Sequence, residues 1–88
     1  MIEFNSCVNN KVGMHLRAAG EFVKLATTFS CKITVIKNGK KANGKSILGL
    51  ASLAIARGTT ITIQVDGDDE VEARHALEKL ISDNFYED

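Results

Sequence analysis

Two side chains in the stretch Asn10-Lys11-Val12-Gly13-Met14-His15-Leu16-Arg17-Ala18-Ala19 have the types and spacing to handle a phosphoryl group, His15 and Arg17. A nitrogen of neutral imidazole is a nucleophile near physiological pH. His15 falls where a short glycine-containing loop runs into a helical pattern. A helix start leaves backbone N–H groups unpartnered and carries the positive end of the macrodipole, so it favours an anion and disfavours positive charge on the ring. The planar fork of Arg17 suits phosphate oxygens and would stabilise charge in transit. Ser, Thr, Asp or Asn is the usual residue at such a boundary, and an imidazole is expected to cap it poorly. A broken local rule marks a candidate functional site. On these two residues alone, a solvated surface pair is the competing interpretation.

The other reactive side chains carry less. His75 stands among Glu72, Arg74, Glu78 and Lys79 in a helical pattern with no loop or glycine beside it, and is expected to face solvent. Cys7 and Cys31 lack the paired spacing of a zinc or redox site and are read as small apolar or half-buried residues without a disulfide. No cluster of His or carboxylate ligands occurs, and no second acid or base is expected near His15. Neither a metal, a cofactor nor an enzymatic active centre is therefore anticipated.

The elements that must position His15 follow from periodicity. Ile2, Phe4, Ser6 and Val8 alternate with Glu3, Asn5 and Cys7 as a first strand. After the loop, Ala18, Ala19, Phe22, Val23, Leu25, Ala26 and Phe29 recur at helical spacing while Arg17, Glu21 and Lys24 face away. Ile33 and Val35 begin a second strand, and Asn38-Gly39 supplies a two-residue hairpin turn leading through Lys40 to Asn43. Ser46 is read as the N-cap of a short helix from about Ile47 to Ala54. That helix is apolar nearly all round, so part of Ile47, Leu48 and Ala51 is expected to stay exposed and to offer a docking patch. Ile61, Ile63 and Val65 alternate with Thr60, Thr62 and Gln64 as a fourth strand. The acidic run Asp68, Asp69 and Glu70 opens a last helix, with a buried stripe of Val71, Ala73 or the Arg74 stem, Leu77, Leu80, Ile81 and Phe85. This order predicts an α+β domain with helices over one face of an antiparallel sheet.

Gly13-Met14-His15-Leu16-Arg17-Ala18-Ala19 resembles the active-centre signature of the HPr family, the histidine phosphocarriers of the bacterial phosphotransferase system. Asn43-Gly44-Lys45-Ser46-Ile47-Leu48-Gly49-Leu50 resembles that family's second signature, around its regulatory serine. The resemblance covers essentially the whole chain, read as one HPr-like domain over residues 1–88, and implies an open-faced β-sandwich of βαββαβα order with strand order 1-4-2-3 and three helices on one face. Sugar-transport members usually carry Ala after the His and Pro after the Arg, where this chain has Leu16 and Ala18. Proline is favoured but not required in a first helical turn, so the helix is expected to survive. His15-Leu16-Arg17-Ala18-Ala19 together with Ser82-Asp83-Asn84-Phe85-Tyr86-Glu87-Asp88 is also similar to the nitrogen-related branch.

The resemblance implies a relay in which His15 takes a phosphoryl group from phosphorylated Enzyme I and passes it to a IIA-type acceptor. Arg17 and the N–H groups of Leu16, Arg17 and Ala18 would neutralise phosphate charge. Leu16, Gly20, Ile47, Leu48 and Ala51 would dock partners, and Ser46 would be the target of an HPr serine kinase/phosphorylase. The alternative is a regulatory binding module whose phosphorylation state controls other proteins; such members are expected to lose the histidine that this chain keeps. Composition excludes other classes. Lys plus Arg and Asp plus Glu are both 11, which gives a net charge of zero and no basic face for nucleic acid. Lys37, Lys40, Lys41 and Lys45 are read as the solvated edge of a hairpin. No apolar run approaches the roughly 20 residues that span a bilayer. A monomeric, cytoplasmic bacterial protein is expected.

Overall fold

A computed structural model describes residues 1–87; Asp88, the last residue of the stretch similar to the nitrogen-related branch, lies outside them. The strands are β1 (Ile2–Val8), β2 (Lys32–Lys37), β3 (Lys40–Asn43) and β4 (Thr59–Asp66), and the helices α1 (Leu16–Ala26), α2 (Ile47–Ser52) and α3 (Glu70–Ser82). The sheet order is β1-β4-β2-β3, with every neighbouring pair antiparallel. β1 and β2 are therefore parallel with β4 in the gap between them, as the crossover through α1 requires.

Register explains why one face is dry. Phe4 stands opposite Ile63, which stands opposite Val35, and Ile2 opposite Val65, which stands opposite Ile33. These rows lie on one side of the pleat, so only that side can be covered by helices. Phe22 of α1, Leu50 of α2 and Leu77 and Leu80 of α3 fill the space above, all essentially inaccessible. Asn38 and Gly39 both have positive φ, 50° and 81°, the backbone that closes a two-residue hairpin. Among the described residues no helix is long and apolar enough to cross a membrane.

Four details depart from the sequence expectations. Val71 is 56% exposed rather than part of the α3 stripe, because it sits on the far side of the helix from Ala73, Leu77, Leu80 and Ile81. Cys7 is exposed on the open face of the sheet, while Cys31 is buried; both are free thiols. α2 stops at Ser52 rather than near Ala54, which takes φ 52°. Two of the four hairpin lysines are not merely solvated. The ammonium of Lys37 donates to the carbonyls of Leu53 and Ala54 just past α2, and that of Lys45 to the carbonyl of Phe29 past α1. The first places positive charge at the C-terminal end of α2, and the second ties the approach to α2 to the connection that follows α1.

Asp69 opens α3 but spends its carboxylate elsewhere. It accepts from the backbone N–H of Ser30 at 2.8 Å and of Cys31 at 3.0 Å, tying the α1–β2 connection to the start of α3. The bond from Ser30, above all, holds its carboxyl below the usual range. A depressed folded value means that this stabilisation is present above the unfolded carboxylate range, about 4, and is lost as pH falls through the folded value. Asp69→Asn is therefore expected to lower the thermal midpoint at neutral pH and to converge on wild type as pH falls through the depressed folded value. Melts across that range check it; a constant gap would mean that the carboxylate charge contributes nothing.

Candidate functional site

The loop ahead of α1 is fixed before the helix begins. Gly13 N–H bonds the carbonyl of Asn10 at 3.0 Å, and Met14 N–H bonds the carbonyl of Ile55 at 2.8 Å, pinning the loop to the α2–β4 connection. Gly13 has φ +72°, and a Cβ there would lie 2.5 Å from the Ile55 oxygen. No other residue fits that approach without moving one chain. Met14 then enters the core, and the next residue, His15, is turned to the surface, half-buried and extended at φ −72°, ψ −178°.

His15 is the N-cap of α1, contrary to the expectation that an imidazole would cap poorly. Its Nδ1 accepts from the backbone N–H of Arg17 at 3.2 Å, and its carbonyl accepts from Ala19 at 2.8 Å. The ring reaches where a serine or asparagine oxygen would sit because extended ψ swings the side chain over the first turn. Among the described residues, the N–H groups of Leu16 and Ala18 have no hydrogen-bond partner. The helix thus presents two open donors and one held by a nitrogen lone pair.

The second ring nitrogen corrects the expectation that no acid stands near His15. Nε2 lies 2.7 Å from Oε2 of Glu87, 72 residues away in the chain. Oε1 of Glu87 accepts from the side-chain amide of Asn10 at 2.8 Å, and the same amide donates to the Gly13 carbonyl at 2.6 Å. The Asn10 amide first, then His15 and Arg17, holds the Glu87 carboxyl below the usual carboxylate range against the opposing effect of desolvation. A carboxylate on one side and an N–H donor on the other assign the ring hydrogen to Nε2 and the lone pair to Nδ1. The guanidinium of Arg17 is exposed and, among the described residues, has no carboxylate within 4.0 Å.

These partners are barely signalled in the sequence. Asn84 directly past a helix is a residue type that accepts positive φ, but nothing in Glu87 or Asn10 points to a histidine so far away. The remaining candidates divide. Leu16 and Ala51 line one shallow depression with His15, together with Val12, Met14, Ala54, Ile55 and Ala56. Leu16 is 65% and Leu48 80% exposed; Ile47 and Ala51 are also exposed, while Gly20 is half-buried one turn along α1. Ser46 is the N-cap of α2, its oxygen accepting from Gly49 N–H at 3.0 Å. His75 is exposed. A groove of about 600 Å³ runs between β1 and α3 and includes His75, but none of the residues around His15.

The protein-family model described as the PTS HPr component phosphorylation site matches residues 2–83. The chain is 47% identical over 78 residues to the phosphocarrier protein HPr of Neisseria meningitidis serogroup B, covering 89% of this chain and 88% of that one. It is 48% identical over 77 residues to the HPr-like protein Crh of Halalkalibacterium halodurans, covering 88% and 92%. The crystal structure of HPr from Thermoanaerobacter tengcongensis superposes with a TM-score of 0.96 at 43% identity, over 100% of this chain and 99% of that one. With sequence, fold and strand order in agreement, the chain belongs to the HPr phosphocarrier family of the phosphotransferase system.

Proposed function

We propose that this protein is a phosphoryl carrier in which Nδ1 of His15 accepts a phosphoryl group from phosphorylated Enzyme I and yields it to a IIA-type acceptor. The observation that carries the proposal is the direction of the Nδ1 lone pair, aimed at the start of α1 where the N–H groups of Leu16 and Ala18 are open. On transfer, phosphoryl oxygens replace the lone pair as acceptors for Arg17 N–H and recruit the other two donors and the guanidinium. The chain relays the group and turns over no substrate of its own. Leu16, Gly20, Ile47, Leu48 and Ala51 form the docking surface, used by donor and acceptor in turn by a monomer in the cytoplasm. Shared use demands weak, rapidly reversible binding. Phosphoenolpyruvate with purified Enzyme I should add one phosphate, read by intact mass; no addition would reject the proposal.

The similarity to an HPr-like Crh protein supports a second reading, a regulatory module switched at Ser46 by a serine kinase/phosphorylase. Retention of His15 with Arg17 favours the carrier, and phosphorylation of Ser46 is then a brake on it. Arg17→Lys keeps the charge but loses the fork, and should slow transfer roughly tenfold, about one charge-assisted hydrogen bond, with an unchanged thermal midpoint. Equal stopped-flow rates for the two proteins would show that the guanidinium does not reach the phosphoryl group.

A further inference from the structure

The contact between Glu87 and His15 is expensive to build for a chance surface pair. α3 ends at Ser82, and Asn84, Phe85 and Tyr86 then take φ of 54°, 56° and 62° in succession. Three consecutive non-glycine residues in the left-handed region carry steric strain. Burial of the Phe85 ring anchors the turn, which delivers Glu87 over the loop that carries His15. Asn10 adds a second cost. It is 1% exposed, and its Oδ1 has no partner among the described residues. Flipping the amide would aim that oxygen at the Gly13 carbonyl and the Glu87 carboxylate, two acceptors. Asn10 thus accepts an orphaned oxygen in order to grip the carboxylate.

We propose that Glu87, held by Asn10, is a positioning residue for phosphoryl transfer: it keeps the Nε2 proton on the His15 ring both before and after Nδ1 is phosphorylated. This rests on the carrier reading above. In the loading step the Nδ1 lone pair forms the N–P bond, and the bond from phosphorus to the donor breaks with its electron pair leaving on the donor. The Nε2 proton stays, so the ring gains one positive charge, which faces the Glu87 carboxylate. In the unloading step the N–P electron pair returns to the ring, which departs as neutral imidazole. Without the Nε2 proton it would have to depart as imidazolate, a much poorer leaving group. Glu87 therefore keeps the bound group transferable.

Among the described residues, the charged partner of the ring is Glu87 from the C-terminal segment, whose carboxylate Arg17 of α1 also stabilises. The loop and the α2 side contribute Val12, Met14, Leu16, Ala51, Ala54, Ile55 and Ala56, which are all uncharged. Loss of the Glu87 charge should consequently dominate any change in ring protonation.

The test loads wild type and Glu87→Gln with labelled phosphate from phosphoenolpyruvate and Enzyme I, then follows hydrolysis of the isolated phosphoproteins against pH. Hydrolysis tracks the protonated ring. Removing the neighbouring negative charge should disfavour the protonated ring, so on the alkaline side of the profile the label is lost about tenfold more slowly. Glu87→Asp, which keeps a carboxylate, should lie nearer wild type. Coincident wild-type and Glu87→Gln profiles would overturn the proposal. A wild type that takes no label would sink the carrier reading instead. Nitrogen-15 spectra of unphosphorylated His15 then decide the positioning role alone: Glu87→Ala should shift the ring from the Nε2–H tautomer toward a mixture, and an unchanged tautomer would overturn it.

Discussion

Replacing His15 by Asn is expected to abolish Enzyme I-dependent phosphorylation while leaving the fold at close to wild-type stability. Asparagine has no nucleophilic nitrogen, yet its side-chain oxygen is among the best N-caps and can take over the bond from Arg17 N–H. Alanine separates the two roles of the imidazole. His15→Ala should lose the phosphate equally completely, but also lose the cap, at about 1 kcal/mol, or roughly 4–8 °C in a chain of this size. Both substitutions leave Glu87 without its partner at 2.7 Å, so the difference between them isolates the cap. The measurement is intact mass after incubation with phosphoenolpyruvate and Enzyme I, beside thermal melts. Undiminished phosphate on His15→Asn would remove the central claim. Equal melting of the Ala and Asn proteins would show that the cap contributes nothing.

The contrast between these variants marks where sequence reasoning works. The element order was legible because period-two and period-3.6 patterns report which face is buried, and only one face of the sheet is dry. The strand order came from the family resemblance; in the structure β1 and β2 are parallel partners of the same central strand. His15 and Arg17 were legible because a loop, a glycine and a helix start lie within a few residues of them, so the geometry is local. Glu87 and Asn10 were not, because their pairing depends on a left-handed turn after α3 and on the packing of Phe85, both tertiary properties. Val71 is apolar by type but out of angular phase with the buried stripe of α3, so residue type alone overstates its burial. The roles of Lys37 and Lys45 are not legible in sequence because the carbonyls they bond, those of Leu53, Ala54 and Phe29, are brought to them only by the tertiary fold.

Ser46→Asp is expected to fold at least as well as wild type and to receive phosphate on His15 about tenfold to about a hundredfold more slowly. Ser46 caps α2 through Gly49 N–H, and no acidic residue lies in the first turn of that helix. A carboxylate there is an equally good cap and also meets the positive end of the helix. Its cost arises on docking. Ile47 and Leu48 follow immediately and are exposed, so a partner seated on this patch must desolvate the new charge against an apolar surface. A penalty of about 1.4–3 kcal/mol gives the expected slowing. Phosphate on Ser46, carrying about −1.5 to −2 charges, should act in the same direction and more strongly. If Ser46 were a cap only, Ser46→Asp would transfer normally, while Ser46→Ala would lose about 1 kcal/mol of stability and still transfer normally. Stopped-flow transfer and melts on both variants distinguish these outcomes. A Ser46→Asp protein loaded at the wild-type rate would mean that partners do not cover the start of α2, and that the docking surface ends at Leu16 and Ala51.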